Sequence, residues 1–399
     1  MSSENPQQIV RSWALSSGWR TGPRVDQRLT PSVFTSIATN FVQCWRETAV
    51  PTMDWGCQNF QVVIPQSIRI LSAAYLQIEL TGKMKAFPGL YCISSFLIRS
   101  GGQEVYRCNY ADYLVDYMES LTPQACARFA ETYLGGSQAS NGSETKTIKL
   151  PLLLPNSAYL RRKANSAHGN GVLGTQFGNQ KLTMEITLNT ALFPTLTAGD
   201  SDVTSIAGNC SIMYHTVEVQ PGVERSFSDV RGLYNVITRR FTDLTQWTHY
   251  PNANTQVVLN NIAPVGCVTE LMFLAVPHQA VASDRRCHQY IKANHVSISH
   301  DYVVQKELNT PNKIGSELWA NGFIPPNANF SSPARLCFAA HCSEDMTKRY
   351  MGGYVADTAT NLQVTVAFPE ACDFKVVSIA YANCKIAPDG VMTSNLDGI

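Results

Sequence analysis

The chain has 399 residues, of which 44% are apolar and only 15% charged, and its formal charge is +1. At roughly 100–200 residues per domain this length predicts about two domains, and a charge content below the roughly 25% usual for soluble domains predicts a surface largely covered by neighbours. No block of like charges is present, which argues against a basic tail that winds nucleic acid, and no apolar run approaches the ~18 residues of a membrane span.

The segment MSSENPQQIVRSW lacks the charged and apolar regions of a secretory leader, so neither secretion by such a leader nor membrane insertion is expected. The first ~50 residues carry Arg11, Arg20, Arg24 and Arg28 and little alternation, and are read as an arm outside the folded domains. Strand signals then dominate. Runs with period-two or continuous apolar character occur at 71–80, 148–154, 212–219, 255–259, 268–276 and 374–386, separated by loops rich in Gly, Asn, Ser and Pro. The clearest alternation is in KLTMEITLN, where Leu182, Met184, Ile186 and Leu188 share one face, and in NLQVTVAF, where Leu362, Val364, Val366 and Phe368 do. One helix is predicted after Asn109 as N-cap: Tyr110, Tyr113, Leu114, Tyr117, Met118 and Leu121 form an apolar stripe that Pro123 ends. That stripe reads as a packing face over a barrel edge.

Short strands with turn signals between them predict an all-β protein of sandwiches or barrels. The pattern occurs twice, on either side of the Arg-bearing stretch VERSFSDVRGLYNVITRRF. The expected division is an N-terminal arm (1–54), a first barrel (55–225), a connector (226–250), a second barrel (251–390) and a C-terminal tail (391–399).

No catalytic, cofactor-binding or metal-ligating residue is expected. Gly169 to Gly174 satisfies GxGxxG but follows no strand and opens no helix, so it reads as a loop. Cys337, His341 and Cys342 lack a fourth ligand, and ARLCFAAHC reads as a buried strand. The twelve cysteines, from Cys44 to Cys384, form no CxxC pair and fit a reducing compartment. Asn141, Asn209 and Asn329 sit in sequons and read as loop residues. His215 and His278 have no paired nucleophile or carboxylate motif and read as core or interface residues. Arg239 and Arg240, near Arg225 and Arg231, read as a solvated or interface face.

Several segments, in order, resemble the double jelly-roll major capsid proteins of double-stranded DNA viruses, namely the nucleocytoplasmic large DNA viruses, virophages, polinton-like and tectivirus-like viruses. FLIRSGGQEVYRCNYADYLVDYMESLT, with Gly101, Gly102 and Gln103, is similar to the family's strand, Gly-Gly-Gln turn and amphipathic helix. IKLPLLLP (Ile148 to Pro155) and QFGNQKLTMEITL (Gln176 to Leu188) resemble the strands that follow. VERSFSDVRGLYNVITRRFTDLTQ resembles the connector, LNNIAPVGCVTELMFLAV the start of the second barrel, and NLQVTVAFPEACDFKVVSIAYANCKIAPDG the closing strand pair. The resemblance covers about Gln58 to Gly390. Departures are Leu152, Leu153 and Leu154 where the family has an aromatic-rich strand, and GVLGTQFG in place of a more apolar stretch.

The resemblance implies two tandem jelly-roll β-barrels with short helices in loops. It implies a homotrimer acting as a pseudo-hexameric capsomer that tiles an icosahedral shell around a double-stranded DNA genome. Implied partners are neighbouring capsomers, minor capsid, penton and cement proteins and, through other proteins, an internal membrane, with no direct sequence-specific nucleic-acid binding. The implied place is the virion, with assembly in the host cytoplasm or nucleus. Two rival readings are a double-jelly-roll glycan-active enzyme, which would need clustered carboxylates and a secretory signal, and a lectin-like binding module with aromatic platforms.

Overall fold

A computed structural model describes residues 41–49, 59–64, 70–119, 121, 123–152, 173–174, 182–189, 211–219, 235–260, 262, 264, 267–280, 287–321, 323, 330–338, 354–355, 362–386 and 392–395. The first half holds β1 (Phe41–Ala49), β2 (Asn59–Val63), β3 (Ile70–Gly82), β4 (Ile93–Ser100), β5 (Gln103–Asn109), α1 (Tyr110–Glu119), α2 (Pro123–Tyr133), β6 (Glu144–Leu152), β7 (Leu173–Gly174), β8 (Leu182–Leu188) and β9 (Ser211–Val219). The second half holds β10 (Asn235–Asp243), β11 (Thr248–Tyr250), β12 (Val257–Leu259), β13 (Cys267–Pro277), β14 (His295–His300), β15 (Val303–Leu308), α3 (Pro311–Ala320), β16 (Ala334–Cys337), β17 (Tyr354–Val355), β18 (Leu362–Ala367), β19 (Cys372–Ile386) and β20 (Met392–Asn395). Among the described residues no helix is long and apolar enough to cross a membrane.

The described strands form four antiparallel sheets. Two belong to the first half, β1-β9-β3-β6 and β2-β8-β4-β5, and two to the second, β10-β19-β13-β16 and β12-β18-β14-β15. With β7, β11, β17 and β20, which pair outside these four orders, set aside, each half contributes eight described strands. Numbered within its own half, each set has the same two orders, 1-8-3-6 and 2-7-4-5. Two four-stranded sheets facing each other in this interleaved order are a jelly roll, and the chain contains two.

The duplication extends to fine detail. In the β4–β5 hairpin Ser100 pairs with Gln103, and the register shifts between Ile98 and Arg99. In the β14–β15 hairpin His300 pairs with Val303, and the shift falls between Ile298 and Ser299. Both two-residue turns have positive φ at both positions, Gly101 and Gly102 in one and Asp301 and Tyr302 in the other. That is the backbone twist a tight hairpin requires. Helices follow each hairpin at the same place, α1 and α2 after β5 and α3 after β15.

The alternating runs face as predicted. Met184, Ile186 and Leu188 are buried while Thr183, Glu185 and Thr187 are half-buried, and Leu362, Val364, Val366 and Phe368 are all buried. In β3, Ala74, Leu76, Ile78 and Leu80 point inward between half-buried Tyr75, Gln77, Glu79 and Thr81. The predicted runs correspond to β3, β6, β9, β12, β13 and β19.

Several sequence expectations are corrected. The stretch 1–54 is not all arm, because β1 pairs along its length with β9, from Phe41 opposite Val219 to Ala49 opposite Ser211. The 226–250 connector contains β10 and β11, both hydrogen-bonded to β19, so the second sheet system begins by Asn235. The tail contributes β20, also paired with β19. Polar and charged residues are frequent in these strands, and without a clean alternation they carry no strand signal in the sequence. The predicted helix ends at Glu119, and Pro123 opens α2 instead of merely ending α1. Proline fits a first helical turn because its missing N–H has no intrahelical acceptor there.

Candidate assembly site between the two barrels

β13 and β19 lie at the centre of a sheet with both faces covered, which is why VTELMFLAV is almost continuously apolar. One face sends Leu271, Phe273 and Ala275 from β13 and Phe374 and Val376 from β19 into the second barrel's own core. The other face sends Met272, Leu274 and Val276, with Val377 and Ile379, into a cluster shared with the first barrel. The hydrophobic cores of the two barrels are therefore joined across this sheet.

Helix α1 fills the joint. At about 100° per residue, the apolar stripe through Tyr110, Tyr113, Leu114 and Met118 lies nearly opposite Asp112, Asp116 and Glu119. The apolar side packs on the first barrel, where the Tyr110 hydroxyl donates to the carbonyl of Pro151 at 2.7 Å. The acidic side faces the second barrel, and all three of its carboxylates are buried.

Their partners come from the second barrel's sheet. Arg335 on β16 donates through Nη1 to Asp116 Oδ1 at 2.8 Å and to Glu270 Oε2 at 2.6 Å, and through Nη2 to Glu119 Oε2. Its guanidinium carbon lies 4.2 Å from the centre of the Phe323 ring. Lys375 on β19 donates to Asp112 Oδ2 at 2.7 Å and lies 3.2 Å from Asp243 Oδ1. Nearer the surface Arg240 on β10 approaches Glu104 on β5 at 3.9 Å. A buried hydrogen bond of 2.8 Å joins the Tyr91 hydroxyl to His288 Nδ1, and Phe87 stacks edge-on against Phe330.

Two cations thus face five carboxylates, four of them buried and the fifth, Asp243, exposed at the edge of the seam. Burial pushes the Asp112 carboxyl up to about 6, with Lys375 pulling it down and the neighbouring Asp243 pushing it further up. Burial likewise raises Glu119, against the pull of Arg335. For Lys375 burial alone would lower the value, but Asp112 and Asp243 more than offset it and hold the ammonium charged. Arg335 is held still more firmly as a cation by its three carboxylates.

This architecture matches solved structures along nearly the whole chain. The capsid of PBCV-1 virus aligns with a TM-score of 0.65 at 10% identity, covering 95% of this chain and 99% of the other. The chain has the double jelly-roll fold. The Faustovirus major capsid protein aligns at 0.56 and 11% identity, over 90% of this chain and 92% of its own. The mavirus major capsid protein aligns at 0.55 and 11%, over 94% and 92%. No protein-family model and no curated protein matches the sequence.

Within this double jelly roll the residues weighed from sequence disperse. Leu173 and Gly174, from the GxGxxG match, form β7 beside β3, while 169–172 lie outside the described residues. Cys337 is a buried residue of β16, and His341 and Cys342 lie outside the described residues. His215 and Arg239 are strand residues of β9 and β10, and Arg225 and Arg231 lie outside the described residues. Arg240 does reach an interface, the one inside the chain. His278 faces a carboxylate after all: its Nδ1 lies 2.8 Å from Asp373 Oδ1, beside His249.

The seam itself was missed. The Asp112, Asp116 and Glu119 spacing of four and three was a readable signal for an acidic helix face. Nothing in the sequence placed Arg335 or Lys375, more than 200 positions away, against it.

Proposed function

We propose that this chain is the major capsid protein of an icosahedral double-stranded DNA virus and acts by assembly, not catalysis. The observation that carries the reading is the likeness to the PBCV-1 capsid and to the mavirus and Faustovirus major capsid proteins, which spans at least 90% of each chain. The internal geometry gives a physical reason for it. Two barrels of one strand order, fixed side by side by a buried seam, make a unit with two similar lobes. Three such units around an axis give six similar lobes, the outline of a six-sided capsomer, in closed symmetry that leaves no open binding face.

The inner strands of each sheet are paired on both sides, so intersubunit contact falls to loops, flanks and edge strands. An obligate trimer of this kind buries on the order of 2,000 Å² or more per interface, mostly apolar, which fits the low charge content. Contacts between trimers, and with minor, penton and cement proteins, would be smaller and more polar. The genome would be enclosed without sequence-specific contact.

Native mass spectrometry with negative-stain microscopy of the purified protein tests the reading. Trimers with a six-sided outline are expected. A persistent monomer at micromolar concentration would overturn it.

A further inference from the structure

Three side chains far apart in sequence meet at one end of the second barrel's central sheet. His249 lies on β11, directly opposite Asp373 on β19 in the strand register. Asp373 is also paired through its backbone with Val276 on β13, two residues before His278. Three neighbouring chain segments thus deliver an imidazole, a carboxylate and an imidazole to one spot. The Nδ1 atoms of His278 and His249 lie 2.8 and 3.3 Å from the same oxygen, Asp373 Oδ1, and one donor atom from each of the three residues lies within 4.8 Å of the others. The two imidazole rings are 3.8 Å apart, centre to centre. Asp373 is buried, whereas both histidines are nearly half exposed at 44% and 45%.

We propose that His249, His278 and Asp373 bind one divalent ion of the zinc class, with a solvent molecule completing the shell. Two neutral imidazoles and a carboxylate are the donor set that suits zinc, and three protein ligands with one open position are a recurrent zinc arrangement. The backbone has already brought the donors together, so binding needs little beyond side-chain adjustment. The buried carboxylate anchors the site and the exposed rings leave an entry path. Cys372, next in sequence to Asp373, belongs to the second barrel's core and is not a ligand. Such an ion would tie β11 and the exit of β13 to β19. The site lies wholly within one chain, so it does not depend on trimer formation.

The test uses the full chain, stripped with chelator and dialysed against micromolar Zn²⁺ with millimolar Mg²⁺ present. Elemental analysis is expected to find one zinc per chain in the wild type and at least a tenfold loss of affinity in His249→Ala, His278→Ala and Asp373→Asn. The histidine variants change side chains that are half in solvent, and circular dichroism verifies their fold. Zn²⁺ should raise Tm in the wild type only. Co²⁺ as a probe should give visible bands of a nitrogen and oxygen site, without the near-ultraviolet absorption of a thiolate. No uptake by the wild type, undiminished uptake in the histidine variants, or a thiolate spectrum would each overturn the proposal.

Discussion

Arg335 is fully buried and faces Asp116, Glu119 and Glu270, so its removal leaves three carboxylates without their cation. Breaking a buried ion pair from one side typically costs about 3–5 kcal/mol. Arg335→Met should therefore lose about that much at pH 7 by urea unfolding. The loss should shrink toward pH 5, because protonation neutralises the orphaned carboxyls. An equal loss at both pH values would mean that packing, not charge, is the source. Asp112 gives a second test. Its carboxyl sits at about 6 in the folded chain, above the ordinary value near 4. Between those values the folded state holds a proton that the unfolded state has released. The associated stability is present below about pH 4 and is lost as pH rises through about 6. Relative to Asp112→Asn, which cannot titrate, the wild type should lose stability between pH 4 and 7. A flat difference would place the proton elsewhere in the seam. In the first barrel Met184 is fully buried and Thr183 is not. Met184→Asp should cost several kcal/mol and abolish soluble protein, with Thr183→Asp far milder, as expression yields would show.

At the scale of elements, the two equivalent hairpins differ in a way that can be exchanged. The β4–β5 turn uses Gly101 and Gly102, for which positive φ is free of strain, whereas the β14–β15 turn places Asp301 and Tyr302 at φ 46° and 66°. A left-handed residue other than glycine costs roughly 1 kcal/mol. Tyr302 is 78% exposed, so Tyr302→Gly loses little packing and should raise Tm, while Gly102→Tyr, in open space, should lower it. No change in either direction would show that the turns tolerate strain equally. These hairpins also mark what was legible. Strands with one wet face, such as β8 and β18, are readable because their alternation is imposed by burial on one side. β13 and β19 are visible as apolar runs, but their second contact surface is not, since a continuous run does not say what covers each face. The recurrence of a strand-rich block is visible in sequence, but the strand-by-strand equivalence of the two barrels is not, because strand order and bulge position match in space while SGGQ and HDYV share no residue. The His249, His278 and Asp373 cluster is hidden for a related reason: sheet pairing, not spacing along the chain, brings it together.

For the whole molecule, the position of β1 decides what can be removed from the N-terminus. β1 is an edge strand whose backbone pairs with β9, and β9 in turn pairs with β3 in the centre of the sheet. A deletion of residues 1–27 stops short of β1 and leaves every described strand in place. If the chain trimerises as proposed, this variant's trimer yield should match the wild type. If Arg11, Arg20 and Arg24 with Trp13 and Trp19 dock on other shell components, as segments with aromatic and Arg anchors commonly do, particle yield should fall in the same preparation. A deletion of residues 1–49 instead removes β1 and leaves the β9 edge with unpaired N–H and C=O groups. An exposed edge of that kind recruits strands from other chains, so this variant should aggregate before it can trimerise. Size-exclusion chromatography and particle counts separate the two effects. Normal particles from the shorter deletion would remove the docking role, and soluble trimer from the longer one would mean that β1 is dispensable to the first barrel.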